Sequence, residues 1–269
     1  MSITPKKSLG QHFLTDRNII QKIANAVSRR PGGRIVEIGP GTGAVTEFLF
    51  HKHPDLEVIE IDQRAVAYLN ERFPGLKIHH QDILQTDWQG FSPLDGKISV
   101  IGNLPYYITS PILFSVLDNR QLFDEAVFMM QKEVADRIVA NPGNKTYGIL
   151  SVQTQLFSRP EYLFTVSRHV FNPKPNVESA VVKFHFDPDI IIPHAPALKK
   201  LIRTAFNQRR KTLSNAIKPI LNEYMLDPDQ RKSLIQSFQL ERRAETLAPQ
   251  EFVHLNEAII SAGVKDDGI

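Results

Sequence analysis

The residues able to do chemistry in this sequence are a glycine cluster and four polar side chains set at intervals behind apolar runs. In "VEIGPGTGAVT" an apolar run ending at Ile38 meets Gly39, Gly41 and Gly43, and a helical pattern begins near Ala44. Small residues at such a junction let a ligand approach the backbone and the helix N-terminus. Gly39-x-Gly41-x-x-Ala44 fits the dinucleotide fingerprint, and Glu60 ends the next apolar run, where a ribose-binding carboxylate belongs. This motif alone does not separate a nicotinamide cofactor from S-adenosylmethionine. Two residues favour the second. Pro40 lacks the N–H that a pyrophosphate would use, and Glu37 would repel phosphate but suit an ammonium or sulfonium. Asp82, after the third run in "HHQDILQTDW", could accept a hydrogen bond from an adenine amino group, although an Asp there is commonly a turn or helix cap. Asn103 follows the fourth. One polar residue behind each of four successive strands points to cofactor and substrate binding at the carboxyl edge of one sheet.

The elements that must position these groups follow from periodicity. "RIVEI", "LEVIEI", "LKIHH", "KISVIG" and "EAVFMM" read as strands, with helical spacing in "AVTEFLF" and "QRAVAYLNERF" between them. Strands alternating with helices argue for a parallel, doubly wound α/β sheet. "YGILSVQTQLF" reads as a helix, and "EYLFTVS" and "SAVVKFHF" as late strands, a hairpin on the sheet edge. From "DPDIIIPHAP" onward the β signal ends. "LKKLIRTAFNQRRKTLSNAIKPILNEYM", "PDQRKSLIQSF" and "PQEFVHLNEAIISA" all read as amphipathic helices, which places a domain boundary near residue 188: 1–188 and 189–269.

Composition narrows the class. The chain has 269 residues, 42% hydrophobic and 23% charged, with no cysteine, so a disulfide framework and thiolate metal sites are excluded. His51/His53 and His79/His80 lack a partner carboxylate at ligand spacing and read as surface or strand residues, so no metal is expected. "MSITPKKSLGQHF" has no apolar signal region, and no window approaches ~18 uninterrupted apolar residues, so a cytoplasmic protein without a membrane span is expected. Net charge is +3, yet residues 1–34 hold Lys6, Lys7, Arg17, Lys22, Arg29, Arg30 and Arg34 against Asp16 alone. That asymmetry suits a polyanionic partner; a solvated basic surface is the plainer alternative.

The stretch "IGNLPYYITSP" asks more than a turn would, since a simple turn is served by Asn-Gly or Asp-Gly. [Asn/Asp]-x-Pro-Tyr behind the fourth strand of such a sheet resembles the amino-methyltransferases that act on exocyclic nitrogens. An adenine N6 lone pair is delocalised into the ring, so the amine is a weak nucleophile. Asn103 Oδ1 and the carbonyl of Leu104 would accept its two N–H hydrogens and favour the charge developing on nitrogen. Pro105 would fix the direction of that carbonyl, and Tyr106 would offer a stacking face. The sulfonium is already activated, so neither metal nor covalent nucleophile is needed.

Further segments narrow the class to a family. "SLGQHFLTD", "VEIGPGTGAVT", "GNLPYYIT", "VFNPKPNVESAVV" and "FNQRRKTLSNAI" resemble, in order and spacing, the ribosomal RNA adenine N6-dimethyltransferases of the KsgA type, over roughly residues 8–260. The resemblance implies a Rossmann-like class I S-adenosylmethionine methyltransferase sheet of seven strands with a small all-helical C-terminal domain for RNA or the ribosome. It implies that Gln11, His12 and Leu14 close over the cofactor. By the same resemblance Gly39 serves the methionine loop, Glu60 the ribose, Asp82 the adenine and Asn103 the target amine, with Glu37, Gly41 and Gly43 in the same cofactor set. Phe171 would flank the target adenine opposite Tyr106, two aromatic walls for an extruded base; a buried Phe before a Pro-rich turn is the alternative. Arg209, Arg210 and Lys211, placed on a helix, would contact RNA phosphates. The implied activity is dimethylation of N6 in two adjacent adenosines of 16S ribosomal RNA, by a monomer with a role in small-subunit biogenesis. Other readings are a large-subunit dimethyltransferase of the macrolide-resistance type, a nicotinamide-dependent oxidoreductase, and an assembly factor whose binding outweighs its catalysis.

Overall fold

A computed structural model describes residues 3–6 and 9–263. Chain order begins with β1 (Phe13–Leu14) and α1 (Arg17–Ala24), then β2 (Arg34–Ile38), α2 (Ala44–Lys52), β3 (Glu57–Glu60), α3 (Gln63–Arg72) and β4 (Lys77–His80). It continues through β5 (Ile98–Asn103), α4 (Thr109–Asp118), β6 (Phe123–Gln131), α5 (Lys132–Ile138), α6 (Ile149–Phe157), β7 (Arg159–Val166), β8 (Phe171–Asn172) and β9 (Ser179–His185). Helices close the chain: α7 (Ala195–Phe206), α8 (Leu213–Ala216), α9 (Lys218–Glu223), α10 (Pro228–Ser237) and α11 (Pro249–Gly263).

Seven strands form one sheet in the order β4-β3-β2-β5-β6-β9-β7. The first five are parallel, and β9 runs antiparallel to β6 and to β7. Parallel strands are covered on both faces, so they need continuous apolar runs; Val36, Val58, Val100, Ala126, Val127 and Phe128 are all fully buried. The late strands pair as expected, but β9 lies inside the sheet and β7 forms the edge. The apolar core under β2 gathers Ile20, Ile23, Leu49, Leu69, Met129 and Val181.

The described chain divides into two compact units, Met1–Ala135 with Ser158–Pro188, and Asp136–Phe157 with Asp189–Ile269. The second unit takes in residues 136–157, a segment that periodicity alone left with the sheet. Its reason is packing: α6 packs against α7 and α11, and the Tyr147 hydroxyl donates 2.8 Å to the Leu247 carbonyl. The long helical run after residue 198 is also broken. Asn207 caps α7, and Asn207–Lys211 is a turn rather than helix. Leu213 and Ser214 instead donate their N–H groups to the carbonyls of Arg242 and Leu240, which turns the chain before α8. Pro219 then sits in the first turn of α9.

Candidate functional site

The strand order reverses at β2, with β3 on one side and β5 on the other, and open α/β sheets bind ligands at such a switch point. The register places Ile38 beside Gly102, so the loop after β2 meets the end of β5. Gly102 permits this approach, since an added Cβ would lie 2.9 Å from the Ile38 carbonyl oxygen. A cleft of about 230 Å³ opens there. From separate stretches of chain it brings together Gln11, His12, Leu14, Glu37, Gly39, Gly41, Glu60, Asp82, Asn103, Leu104, Pro105 and Tyr106.

Two residues of the expected set do not line it. Gly43 sits at the N-cap of α2 with φ +75°, and a Cβ there would lie 2.5 Å from the Phe73 ring, so helix-to-helix packing demands its glycine. Phe171 is 5% exposed, paired with Leu14 across β1 and β8, and packed in the core with Val166, Met129 and Val181. It does not line the cleft. The ring stacked on Tyr106 is His12, with centroids 5.7 Å apart and planes at 25°.

Glu37 is buried, accepts a 2.7 Å hydrogen bond from Thr46 Oγ1, and has no cation partner among the described residues. Burial pushes its pKa up from 4.5 to about 8; the Thr46 bond opposes this and the charge of Glu60 adds to it. Glu60 accepts from the backbone N–H groups of Asp62 (2.8 Å) and Gly41 (3.1 Å), and burial raises its pKa against these bonds. A carboxylate has about four acceptor sites, so capacity remains for a ligand hydroxyl. The loop itself has few donors left. Pro40 has none, Gly39 N–H is bound to the Ile59 carbonyl, Gly41 N–H to Glu60, and Gly43 N–H to the Pro40 carbonyl. A pyrophosphate would find little to bind. An added Cβ at Gly39 would meet nothing within 4 Å, so that backbone is open to a ligand.

Asp82 is a turn cap that also faces the cleft. Its Oδ1 accepts from Leu84 N–H at 2.9 Å, capping the 3-10 turn Ile83–Gln85, while the residue lines the cleft. Beside the two carboxylates, Ile61 and Leu84 are 51% and 44% exposed and also line it. Neither was expected from the sequence; an apolar residue directly behind Glu60, and another two after Asp82, was the available signal. A buried carboxylate awaiting positive charge, an open backbone and flat apolar rims fit a cationic, adenine-bearing cofactor.

At the other end, Asn103 Nδ2 donates 3.1 Å to the His12 carbonyl, which leaves Oδ1 as a free acceptor among the described residues. Leu104 is buried, its N–H bound to the Met129 carbonyl at 3.0 Å. The Pro105 carbonyl accepts from Ile108 N–H and Thr109 Oγ1 and so holds the turn that carries Tyr106. Tyr106 is bonded through its hydroxyl to Ser179 Oγ at 2.9 Å, and burial raises its pKa, partly offset by that bond. Ser179 is fully buried and was not foreseen. Nor was Asp62. Gln11 Nε2 donates to it at 3.1 Å, Lys6 Nζ lies 3.8 Å away, and Arg64 binds it while reaching the Thr4 carbonyl. These bonds fasten the N-terminal arm beside the cleft, and the Arg64 bond, ahead of the others, holds the Asp62 carboxyl well below the usual carboxylate range.

The cations are redistributed by folding. Lys6, Arg17, Arg29, Arg30 and Arg34 pair with Asp62, Glu47, Asp55, Asp124 and Glu57, acids that are remote in sequence. Lys22 lies 3.9 Å over the Phe164 ring, and Lys7 falls outside the described residues. The basic arm is therefore largely compensated. Arg209 donates to the carbonyls of Lys145 (2.8 Å) and Tyr147 (3.0 Å) and pairs with Glu245, so it braces its own turn. Arg210 and Lys211 are exposed with no side-chain partner among the described residues. His79 lies on β4, as a strand residue, and pairs across to Glu57 Oε2 at 2.6 Å, a partner remote in sequence. Among the described residues no group of three His, Asp or Glu side chains is gathered as a metal would need.

Comparison with known proteins gives the same answer as the cleft. The Ribosomal RNA adenine dimethylase family model matches residues 3–259. Ribosomal RNA small subunit methyltransferase A of Bacteroides fragilis is 45% identical over 264 residues, covering 97% of this chain and 94% of that protein. A crystal structure of a dimethyladenosine transferase from Plasmodium falciparum superposes with a TM-score of 0.78 at 27% identity, over 91% of this chain and 96% of that one. The 23S rRNA methyltransferase ErmE, at 22% identity and a TM-score of 0.70 over 92% of this chain and 99% of its own, shares the fold. With a family model over nearly the whole chain and relatives this similar, the chain belongs to the ribosomal RNA adenine dimethylase family.

Proposed function

We propose that the protein dimethylates N6 of two adjacent adenosines in 16S ribosomal RNA, working as a cytoplasmic monomer on immature small subunits. That it is an S-adenosylmethionine-dependent ribosomal RNA adenine dimethyltransferase follows from its family. The finer substrate is supported by relatives named for the small subunit. No helix among the described residues is long and apolar enough to cross a membrane.

The observation that carries the reading is the Asn103 carboxamide. Its Nδ2 is spent on the His12 carbonyl, so Oδ1 keeps its acceptor capacity for the cleft that Glu37 and the Gly39 backbone share. S-adenosylmethionine, when bound, supplies an activated methyl group on a sulfonium. The chain's residues do the rest. Glu37 holds positive charge, Glu60 and Asp82 take ribose hydroxyls and the adenine amine, and Ile61 and Leu84 cover an apolar ring. Asn103 Oδ1 and the Leu104 carbonyl accept the hydrogens of the target amine and favour charge on its nitrogen. Tyr106 stacks on the base once it leaves the RNA helix.

The exposed pair Arg210 and Lys211 contacts RNA phosphate in this reading, while Arg209 keeps its structural place. The oxidoreductase alternative is less favoured, because Pro40 has no N–H and the N–H groups of Gly39, Gly41 and Gly43 are engaged within the protein. The test is incubation with labelled S-adenosylmethionine and either 16S RNA or immature small subunits, with modified nucleosides mapped by mass spectrometry. Adjacent dimethyladenosines in either substrate are the expected product; labelling elsewhere, or none, overturns the reading.

A further inference from the structure

The segment between β7 and β9 carries three basic side chains, Arg168, His169 and Lys174, all exposed. Arg168 donates to the Asn176 carbonyl at 3.3 Å, and Lys174 Nζ lies 3.2 Å from His169 Nδ1. Neither partner is a carboxylate. They fix where each cation stands without cancelling its charge, and among the described residues neither cation pairs with a carboxylate. The contrast with the N-terminal arm, whose cations end on Asp62, Glu47, Asp55, Asp124 and Glu57, is sharp.

The place is as telling as the charge. The Pro173 carbonyl, one residue before Lys174, accepts a 2.7 Å hydrogen bond from Nδ1 of His12, the ring that lies against Tyr106 in the cleft. Because a carbonyl only accepts, His12 carries its proton on Nδ1. Two further bonds, from Thr15 N–H and Thr15 Oγ1 to the Val170 carbonyl, and the pairing of β1 with β8, tie this segment to the arm that walls the cleft. The cations are thus carried by a backbone braced against the arm that lines the base site. Tyr107, 60% exposed, lines the same cleft and adds an aromatic surface there. Fixed, uncompensated cations beside an exposed aromatic suit a single-stranded nucleic acid, whose backbone they neutralise and whose bases they leave free to stack.

We propose that Arg168, His169 and Lys174 form a phosphate-binding rim that takes the RNA backbone beside the target adenosine. The rim rests on the RNA methyltransferase reading. A nucleotide whose base reaches Tyr106 must leave its phosphodiester outside the cleft, and the segment that carries these cations is bonded to His12, which lines that cleft. With Lys174 donating to His169 Nδ1, the His169 Nε2–H becomes a third donor. Arg209 being engaged elsewhere, the catalytic unit supplies its own grip on the strand instead of relying on the helical unit alone.

The test uses the full chain and a short single-stranded oligoadenylate, with Kd measured across a salt series for the parental protein, Lys174→Gln and the Arg168→Gln/Lys174→Gln pair. Removing one cation from a phosphate should flatten the slope of log K against log salt by roughly 0.7. The pair is therefore expected to flatten it by about 1.4 and Lys174→Gln by about 0.7, while Lys174→Arg keeps the parental slope. S-adenosylmethionine affinity, measured in parallel, should be unchanged; if the pair proves misfolded, Lys174→Gln and Lys174→Arg decide. A parental slope in Lys174→Gln overturns the rim. Absence of methyl transfer by the parental protein to 16S RNA or immature subunits would instead sink the functional reading, so the two failures are distinguishable.

Discussion

Replacing Glu37 with Gln should make the free protein more stable and the enzyme worse. Glu37 is 3% exposed and its pKa is raised from 4.5 to about 8 by burial. A folded pKa above the unfolded one means the native state holds its proton more tightly, so the cost of ionising Glu37 in the fold is absent below pH 4.5. It grows as pH rises and is complete near pH 8. At 1.36 kcal/mol per pH unit this cost reaches roughly 4 to 5 kcal/mol, the upper limit of what Glu37→Gln could return. Denaturant melts of the cofactor-free protein at pH 4.5 and pH 8 should therefore diverge between parent and variant only at the higher pH. A bound cation reverses the account. If the cofactor's positive charge needs the ionised carboxylate, affinity is scaled down to the fraction ionised, about 1% at pH 6 and about a quarter at pH 7.5. Calorimetry should then show S-adenosylmethionine affinity rising roughly 20-fold between those pH values, with proton release, and Glu37→Gln should bind weakly with no such slope. Equal affinity at pH 6 and pH 7.5 in the parent, or the same slope in the variant, would refute the argument.

Asn103→Ala should lower kcat by about 10²–10³ with cofactor affinity nearly intact, because its Oδ1 acts on an amine that becomes positive only in the transition state; near-parental turnover would return "NLPY" to being a turn. Glu60→Ala should chiefly raise the cofactor KM, since a ribose contact contributes equally before and during the reaction, and isothermal titration checks it. Ser179→Ala should slow transfer roughly 2- to 10-fold, one hydrogen bond's worth, by freeing the Tyr106 hydroxyl. In a Tyr106→Phe background the same substitution should cost almost nothing, and additive effects in that double-mutant cycle would show that Ser179 acts by another route.

What the sequence made legible, and what it hid, divides along the range of the interactions. The alternation of strands and helices, the glycine loop and the four polar strand ends are local signals, and the sheet placed Glu37, Glu60, Asp82 and Asn103 around one cleft as their spacing implied. Gly43 carries the same motif letter as Gly39, yet one packs on Phe73 and the other opens to the cleft. That difference belongs to α3, not to the motif. The charge count of residues 1–34 was accurate as composition and misleading as electrostatics, because the neutralising acids come from α2, β3 and the loops and strands beyond. Arg209 and Phe171 find unforeseen partners for a related reason. A guanidinium in a turn finds the carbonyls of Lys145 and Tyr147, and a phenyl ring on β8 finds the core through its pairing with β1, partners no window of sequence contains. The polar residues that line the cleft could be foreseen because a strand's carboxyl end fixes where its next residue goes. Those that merely hold others in place, Ser179 on Tyr106 and Asp62 on Gln11, could not, since their use exists only after the sheet has closed.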